Sequence, residues 1–339
     1  MKYLEPIRGY RRIVSHTAPM EAGARIGFRG ADIRELVESA DEERLRDTVA
    51  RLAEQSRHPW QNPAHHAAAA RQIIEAFAAS GLTVREQTFA YGQLHGRNII
   101  ASKPGTRPDL PPLLVCAHYD SVRDSPGADD NASGVAALLE CARLLSRPAF
   151  PRAVEFAALD MEEIQEPPGD AGLLGSGAMA RAAKQAGTRY AGVYNLEMVG
   201  YSAGPGGQRL PAGFRWVFPG AYRRVRDLGF RGDGLGAMAL GKGKALNRRL
   251  ERAARRWVGG FPVVAVDVPS WLPIPDLLRS DHTSFWLAGM PATSLTDTAN
   301  FRNPHYHGPT DTPDTLDYGM LRRSAQLLVA TVAEHAGEG

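Results

Sequence analysis

The 339-residue chain has only two cysteines, Cys116 and Cys141. That count leaves no room for a disulfide framework. Both fall in apolar patterns, where a thiol behaves as a small buried hydrophobe. No run reaches the roughly 18 apolar residues of a membrane span. The opening stretch, Met1-Lys-Tyr-Leu-Glu-Pro-Ile-Arg8, lacks the apolar core and small-residue cleavage site of a secretion signal. A cytoplasmic location is therefore the expectation. Net charge is only +3, too small to imply nucleic acid or an anionic membrane as partner. The His-Glu-x-x-His signature of the zincins is missing too.

What remains is an ordinary globular mixture, 43% hydrophobic and 23% charged, long enough for one large α/β domain. Residues 1–40 show no clean period and read as an N-terminal extension. Residues 41–339 read as a single domain. Leu45, Val49 and Leu52 are spaced for a helix within 41–57. Asn62-Pro63 reads as an N-cap and first helical residue for a helix running to Ala79, ended by Gly81. Strands are expected over 82–89, 98–101, 113–117, 153–159, 190–196 and 290–295, with helices over 133–145, 172–185 and 319–336. Such alternation implies a three-layer α/β/α fold with a central mixed, mostly parallel sheet. In that architecture functional groups collect at the carboxyl ends of strands.

The polar residues that stand at those ends form a series. The apolar run Leu113–Ala117 delivers His118, and Asp120, two residues on, is placed to fix its ring tautomer. Gly127-Ala-Asp-Asp-Asn-Ala-Ser-Gly134 is a tight turn with an acidic pair, Asp129 and Asp130, before a helix. One of them can bridge two cations while the other serves capping or supporting contacts. Glu162 and Glu163 follow the strand 153–159 and can divide labour between binding a metal and taking a proton from water. Glu197 lies among apolar residues in Leu-Glu-Met-Val-Gly, where an unpaired carboxylate is costly. His305 and His307 share a loop before the last helix, and either could be a ligand. His65 and His66 open a helix and read as surface residues.

These residues resemble the M28 family of dinuclear zinc peptidases, best known for aminopeptidases. The likeness runs from about residue 41 to the end. It includes the His-x-Asp, the Gly-Ala-Asp-Asp-Asn-Ala-Ser-Gly turn, the Glu-Glu pair with Gly-Leu-Leu-Gly-Ser, Asn-Leu-Glu-Met-Val-Gly-Tyr, Ser-Asp-His-x-x-Phe, and Tyr-His-x-x-x-Asp-Thr. The resemblance implies a zinc-peptidase-like fold, two Zn2+ per chain and a peptide or small aminoacyl substrate hydrolysed at its N-terminus. It implies metal ligands His118, Asp129 (bridging, with a cis peptide to Asp130), Glu163, Glu197 and His307. Glu162 would be the general base, with Asp120 behind His118. Two departures stand out: Glu197 replaces the common aspartate, and residues 164–171 lengthen the link after the glutamate pair, making Glu166 a rival for one role. The alternatives are a mononuclear zinc glutaminyl cyclase and a non-catalytic, metal-bound peptide-binding module. Ser280-Asp281-His282 is expected near the substrate.

Gly236-Ala-Met-Ala-Leu-Gly-Lys-Gly243 looks like a phosphate loop, but it ends in Gly243 where Ser or Thr is needed, and no buried apolar strand is read as leading into it. The Arg-rich stretch 248–256 reads as a solvated helix face.

Overall fold

The computed structural model describes residues 30–163, 172–269 and 275–338. The chain begins there with α1 (Gly30–Glu38), which lies inside the stretch expected as an extension but buries Ile33 and Val37 in the main core. Asp41 caps α2 (Glu42–Leu52) by accepting from Glu43 N and Arg44 N. α3 (Pro63–Ala79) has Asn62 as N-cap and Pro63 in its first turn, as its sequence predicts. β1 (Thr83–Tyr91), β2 (Leu94–Lys103) and β3 (Leu113–His118) follow, then α4 (Gly134–Leu145), β4 (Val154–Leu159), α5 (Leu174–Gln185) and β5 (Gly192–Glu197). The middle third adds α6 (Phe214–Val217), α7 (Pro219–Asp227), β6 (Leu235–Leu240), α8 (Lys244–Trp257) and β7 (Val263–Val268). α9 (His282–Leu287), β8 (Ala292–Thr296) and α10 (Tyr318–Gly337) complete the chain.

Among the described residues, eight strands form one sheet in the order β1-β2-β4-β3-β5-β8-β6-β7. The central β4-β3-β5-β8 run is parallel, as is β6 with β7. β1 pairs antiparallel with β2, β2 with β4, and β6 with β8. β3 is buried throughout and shows why two helical layers are needed. Its Leu113, Val115 and Ala117 join the core beneath α4 and α10, while Leu114 and Cys116 join a second core with α5 and α9. Successive side chains of a strand face opposite sides, so a continuous apolar run demands cover on both.

One expectation changes and one holds. A strand, β6, does underlie the segment that resembles a phosphate loop. Gly236 lies within the paired strand itself, opposite Thr296, so the glycines do not form a cradle ahead of α8. The Arg-rich stretch is the outer face of α8, whose Leu246, Leu250, Ala253 and Ala254 are buried while Arg248, Arg252, Arg255 and Arg256 are exposed. No helix of the described residues is long and apolar enough to cross a membrane.

Candidate active site

β3, β4 and β5 run parallel and end together, so His118, the Glu162–Glu163 turn and Glu197 emerge at the same edge. Asp120 ties this edge together. Its Oδ1 stands 3.4 Å from His118 Nδ1. The same carboxylate accepts from Glu162 N at 3.1 Å and Glu163 N at 3.2 Å. One acid thus orients the imidazole and pins both glutamates.

The acidic turn after β3 is set by Gly127, at φ +62°, where a Cβ would stand 2.2 Å from the Asp130 carbonyl. Arg57, fully buried, clamps that turn by donating to the carbonyls of Leu52, Tyr119, Pro126 and Gly127. Asp311 accepts from Asp129 N at 2.9 Å and Asp130 N at 3.1 Å. The cis peptide lies between Asp130 and Asn131, one position later than expected. Asp129, expected as the bridging carboxylate, points elsewhere. It accepts from Gly200 N at 3.0 Å and Asn303 Nδ2 at 2.8 Å, and faces the buried Asp297 carboxyl.

Asp130 occupies the central place instead. Its Oδ1 lies 3.3 Å from His118 Nε2 and its Oδ2 3.2 Å from His307 Nε2. Glu197 Oε2 lies 3.6 Å from His118 Nε2. Glu163 Oε2 lies 3.3 Å from His307 Nε2. Glu162 Oε2 is farther from His118, at 4.0 Å. Donors about 2.0–2.1 Å from a tetrahedral zinc stand about 3.3 Å from one another, so these spacings suit that ion. The donor chemistry agrees: imidazole nitrogens and carboxylate oxygens, grouped as His118, Glu162 and Glu197 and as His118, Asp130 and Glu163. His118 Nε2 and Asp130 Oδ1 are buried without a hydrogen-bond partner, a costly condition that a cation relieves.

The protein alone leaves this cluster overcharged. Burial raises the Glu162 pKa well above the usual carboxylate range, and Glu197 and Glu163 push it the same way. Burial and Asp130 bring Glu163 to about 7. Burial opposes charge on His307, yet its contacts with Asp130 and Glu163 carry its pKa to about 10. Where carboxylates must share a dry site, protons or metal ions have to balance them.

Other residues were misread or hidden. His305 bonds Thr310 and takes no place in the cluster. His66 is not a surface residue: its Nε2 lies 2.8 Å from Asp160 and its ring stacks on Tyr119. Glu166 lies outside the described residues. Gly200-Tyr-Ser-Ala-Gly204 has the Gly-x-Ser-x-Gly spelling of serine hydrolases, but Ser202 donates to Asp317 and no helix follows to make the nucleophile turn. Ser280 reaches Glu197, and Ser280 and His282 line a cavity of about 1650 Å³ together with Glu162, Glu163 and His307. Phe214, Phe218, Met238, Val264, Val266 and Leu277 give that cavity an apolar wall.

The profile of "Peptidase family M28" matches residues 98–206 and 271–332, the two segments that carry every residue of this cluster. An Escherichia coli protein described as uncharacterized protein YfbL is 33% identical over 297 residues, 83% of this chain and 84% of that protein. The Legionella pneumophila LapA aminopeptidase superposes with a TM-score of 0.68 at 17% identity, over 94% of this chain and 78% of that one. A Fimbriiglobus ruber glutaminyl cyclase shares the fold as well, with a TM-score of 0.64 at 22% identity, over 87% of this chain and 95% of that one. The strand-end His118 and Glu197, the turn-borne Asp130, Glu162 and Glu163, and the loop-borne His307 thus all fall where one profile matches, and the protein belongs to peptidase family M28, the zinc-dependent peptide-bond hydrolases that its motifs resemble.

Proposed function

We propose that this peptidase is an aminopeptidase that holds two zinc ions, with Asp130 rather than Asp129 as the bridging ligand. The observation that carries the reading is the two-sided Asp130 carboxylate, one oxygen facing His118 and the other His307. His118 and Glu197 would complete one position, and Glu163 and His307 the other. Zinc held there makes a water more acidic and polarises the scissile carbonyl. Glu162 lies beside the first position, 4.0 Å from His118 Nε2, farther than Asp130 or Glu197. Its burial favours accepting a proton, so it takes one from the attacking water and returns it to the leaving amine. Asp120 holds the Glu162 backbone so that this carboxylate stays aimed at the water. The apolar wall of the cavity fits an extended aliphatic or aromatic N-terminal side chain.

The cyclase alternative would need one metal and no attacking water. The presence of Glu163 and His307 around the second Asp130 oxygen supports the hydrolase. Metal analysis, a panel of aminoacyl-nitroanilides and an N-terminal glutaminyl peptide together test the reading. Two zincs, release of nitroaniline from leucyl and phenylalanyl substrates, and no cyclisation are expected. A single zinc with cyclisation of the glutaminyl peptide would overturn the assignment, and zinc with neither reaction would favour a binding module. Glu162→Gln should keep the metal and lower turnover by about 10²–10⁴-fold. Loss of zinc in that variant would make Glu162 a ligand.

A further inference from the structure

We infer that Arg181 sets substrate length: it binds the C-terminal carboxylate of a short peptide, on the leaving-group side of the site. The inference rests on the aminopeptidase reading above. The cavity has two unlike ends. Its apolar wall comes partly from β6 and β7, through Met238, Val264 and Val266. Its other end is lined by α5, through Gly177, Ala180, Arg181 and Lys184. α5 packs against β1 and β2, at the edge of the sheet away from β6 and β7. The acids and His118 stand at the ends of β4, β3 and β5, between these two walls. A peptide that rests its N-terminal side chain on the apolar wall therefore runs its remaining residues toward α5.

The spacing along α5 fixes how many residues those are. Leu173 N donates to the Glu162 carbonyl at 2.8 Å, so the helix starts at the turn that carries Glu162. Gly177 follows one turn later, about 6 Å along the axis. The Arg181 guanidinium folds back over this glycine: a Cβ there would stand 3.1 Å from Arg181 Nη1. Extended peptide covers about 3.3–3.6 Å per residue, so a carboxylate about two residues beyond the scissile bond reaches the guanidinium. Other arginines of the cavity are already committed. Arg209 donates to the Asn300 carbonyl, Arg231 pairs with Asp233, Arg279 donates to Tyr306, and Arg302 donates to Gln208 and the Gly234 carbonyl. Arg181 has no hydrogen bond or ion pair among the described residues. Partial burial lowers its pKa, a cost that a bound anion would offset. Its planar fork matches the two oxygens of a carboxylate, and Lys184 adds positive charge on the same wall.

Steady-state kinetics of the zinc-loaded wild type, Arg181→Met and Arg181→Lys test it. The substrates are Leu-Gly-Gly and a leucyl hexapeptide of glycines, each with a free and an amidated C-terminus, and leucyl-nitroanilide. Wild type should prefer free Leu-Gly-Gly over its amide by about 10-fold in kcat/KM, mostly through KM, as binding common to ground and transition states requires. Arg181→Met should abolish the preference, and Arg181→Lys should keep part of it. The hexapeptide, whose carboxylate lies past the guanidinium, should show no preference in any of the three. Leucyl-nitroanilide, which has no carboxylate, should be turned over equally by all three. A wild type indifferent to amidation of Leu-Gly-Gly, a preference unchanged in Arg181→Met, or an equal preference in the hexapeptide would refute the Arg181 assignment while leaving the aminopeptidase reading intact. Failure of zinc-loaded wild type to hydrolyse any of these substrates would remove the aminopeptidase reading and the Arg181 assignment with it.

Discussion

At the scale of single residues, Asp129 and Asp130 show how little separates a ligand from a support. They are adjacent carboxyl groups and both buried. Asp129 is committed to Gly200 N and Asn303 Nδ2, and shares its surroundings with Asp297, whose own pKa is driven well upward by burial and by Asp129. Asp130 keeps a buried oxygen with no hydrogen-bond donor. Asp130→Ala should therefore strip zinc, because in the proposed two-zinc site its one side chain would serve both positions. Asp129→Asn should keep zinc under the same dialysis and instead lower the unfolding free energy by about 1–3 kcal/mol for the disturbed buried hydrogen bonds. Zinc content by elemental analysis decides it: metal lost from Asp129→Asn and kept in Asp130→Ala would restore the bridging role to Asp129. Sequence alone left this pair open, since the acidic turn shows that one acid is spare but not which way each side chain leaves the backbone. The family resemblance, carried by motif order, names the residue one before the carboxylate that faces both imidazoles. His66 was misjudged for a similar reason: the start of a helix says nothing about Asp160 waiting across the fold.

Elements were legible where a single pattern dominated and obscure where the signal was shared. The capped helix from Pro63 and the apolar strand from Leu113 stand close to where their residues place them. β7, Val263–Val268, is as Val-rich as any described strand, yet no element is expected from the sequence between residues 256 and 290. β1 and β2 pair antiparallel through a turn at Gly92, a choice that tertiary contacts make and periodicity does not. The loop from β3 to α4 was recognised as a site, but its clamp was invisible: Arg57 lies 70 residues from Gly127 and gives no local sign of reaching it. Burial pulls the Arg57 pKa down to about 10, against the pull of Asp311 and Asp120, so it stays charged at neutral pH. Arg57→Met should destabilise the metal-free protein by at least about 3 kcal/mol, as several buried carbonyls lose a donor at about 1–3 kcal/mol each. It should also loosen zinc, because the turn that carries Asp130 loses its support. Urea unfolding and chelator competition test the two parts. A variant with unchanged zinc affinity would separate the clamp from the metal site.

Across the whole molecule, one sheet serves two purposes that pull in different directions. At the strand ends it gathers acids that need a cation. Between its strands and α10 it buries polar groups that must stay neutral. His335 on α10 belongs to the second kind: it is 5% exposed, and its Nδ1 meets the Tyr194 hydroxyl of β5 at 2.9 Å. Burial, aided by Arg249, lowers its pKa to about 4, against about 6.5 for a free histidine. The unfolded chain thus binds a proton over this range that the folded chain refuses. Stability from the neutral ring is complete above about pH 6.5 and is lost as pH falls toward 4, a difference of order 3 kcal/mol. His335→Gln keeps an acceptor for Tyr194 but cannot titrate. The gap between wild type and His335→Gln in the urea midpoint of the metal-free proteins should therefore shift in favour of the variant as pH drops from 6.5 to 4, and stay constant above 6.5. Comparing the two removes the carboxylates common to both, including Asp311, which burial and Asp129 raise to about 7. Parallel curves over the whole interval would mean that the ring is already protonated in the fold, and that Tyr194 and β5 do not hold α10 through a neutral imidazole.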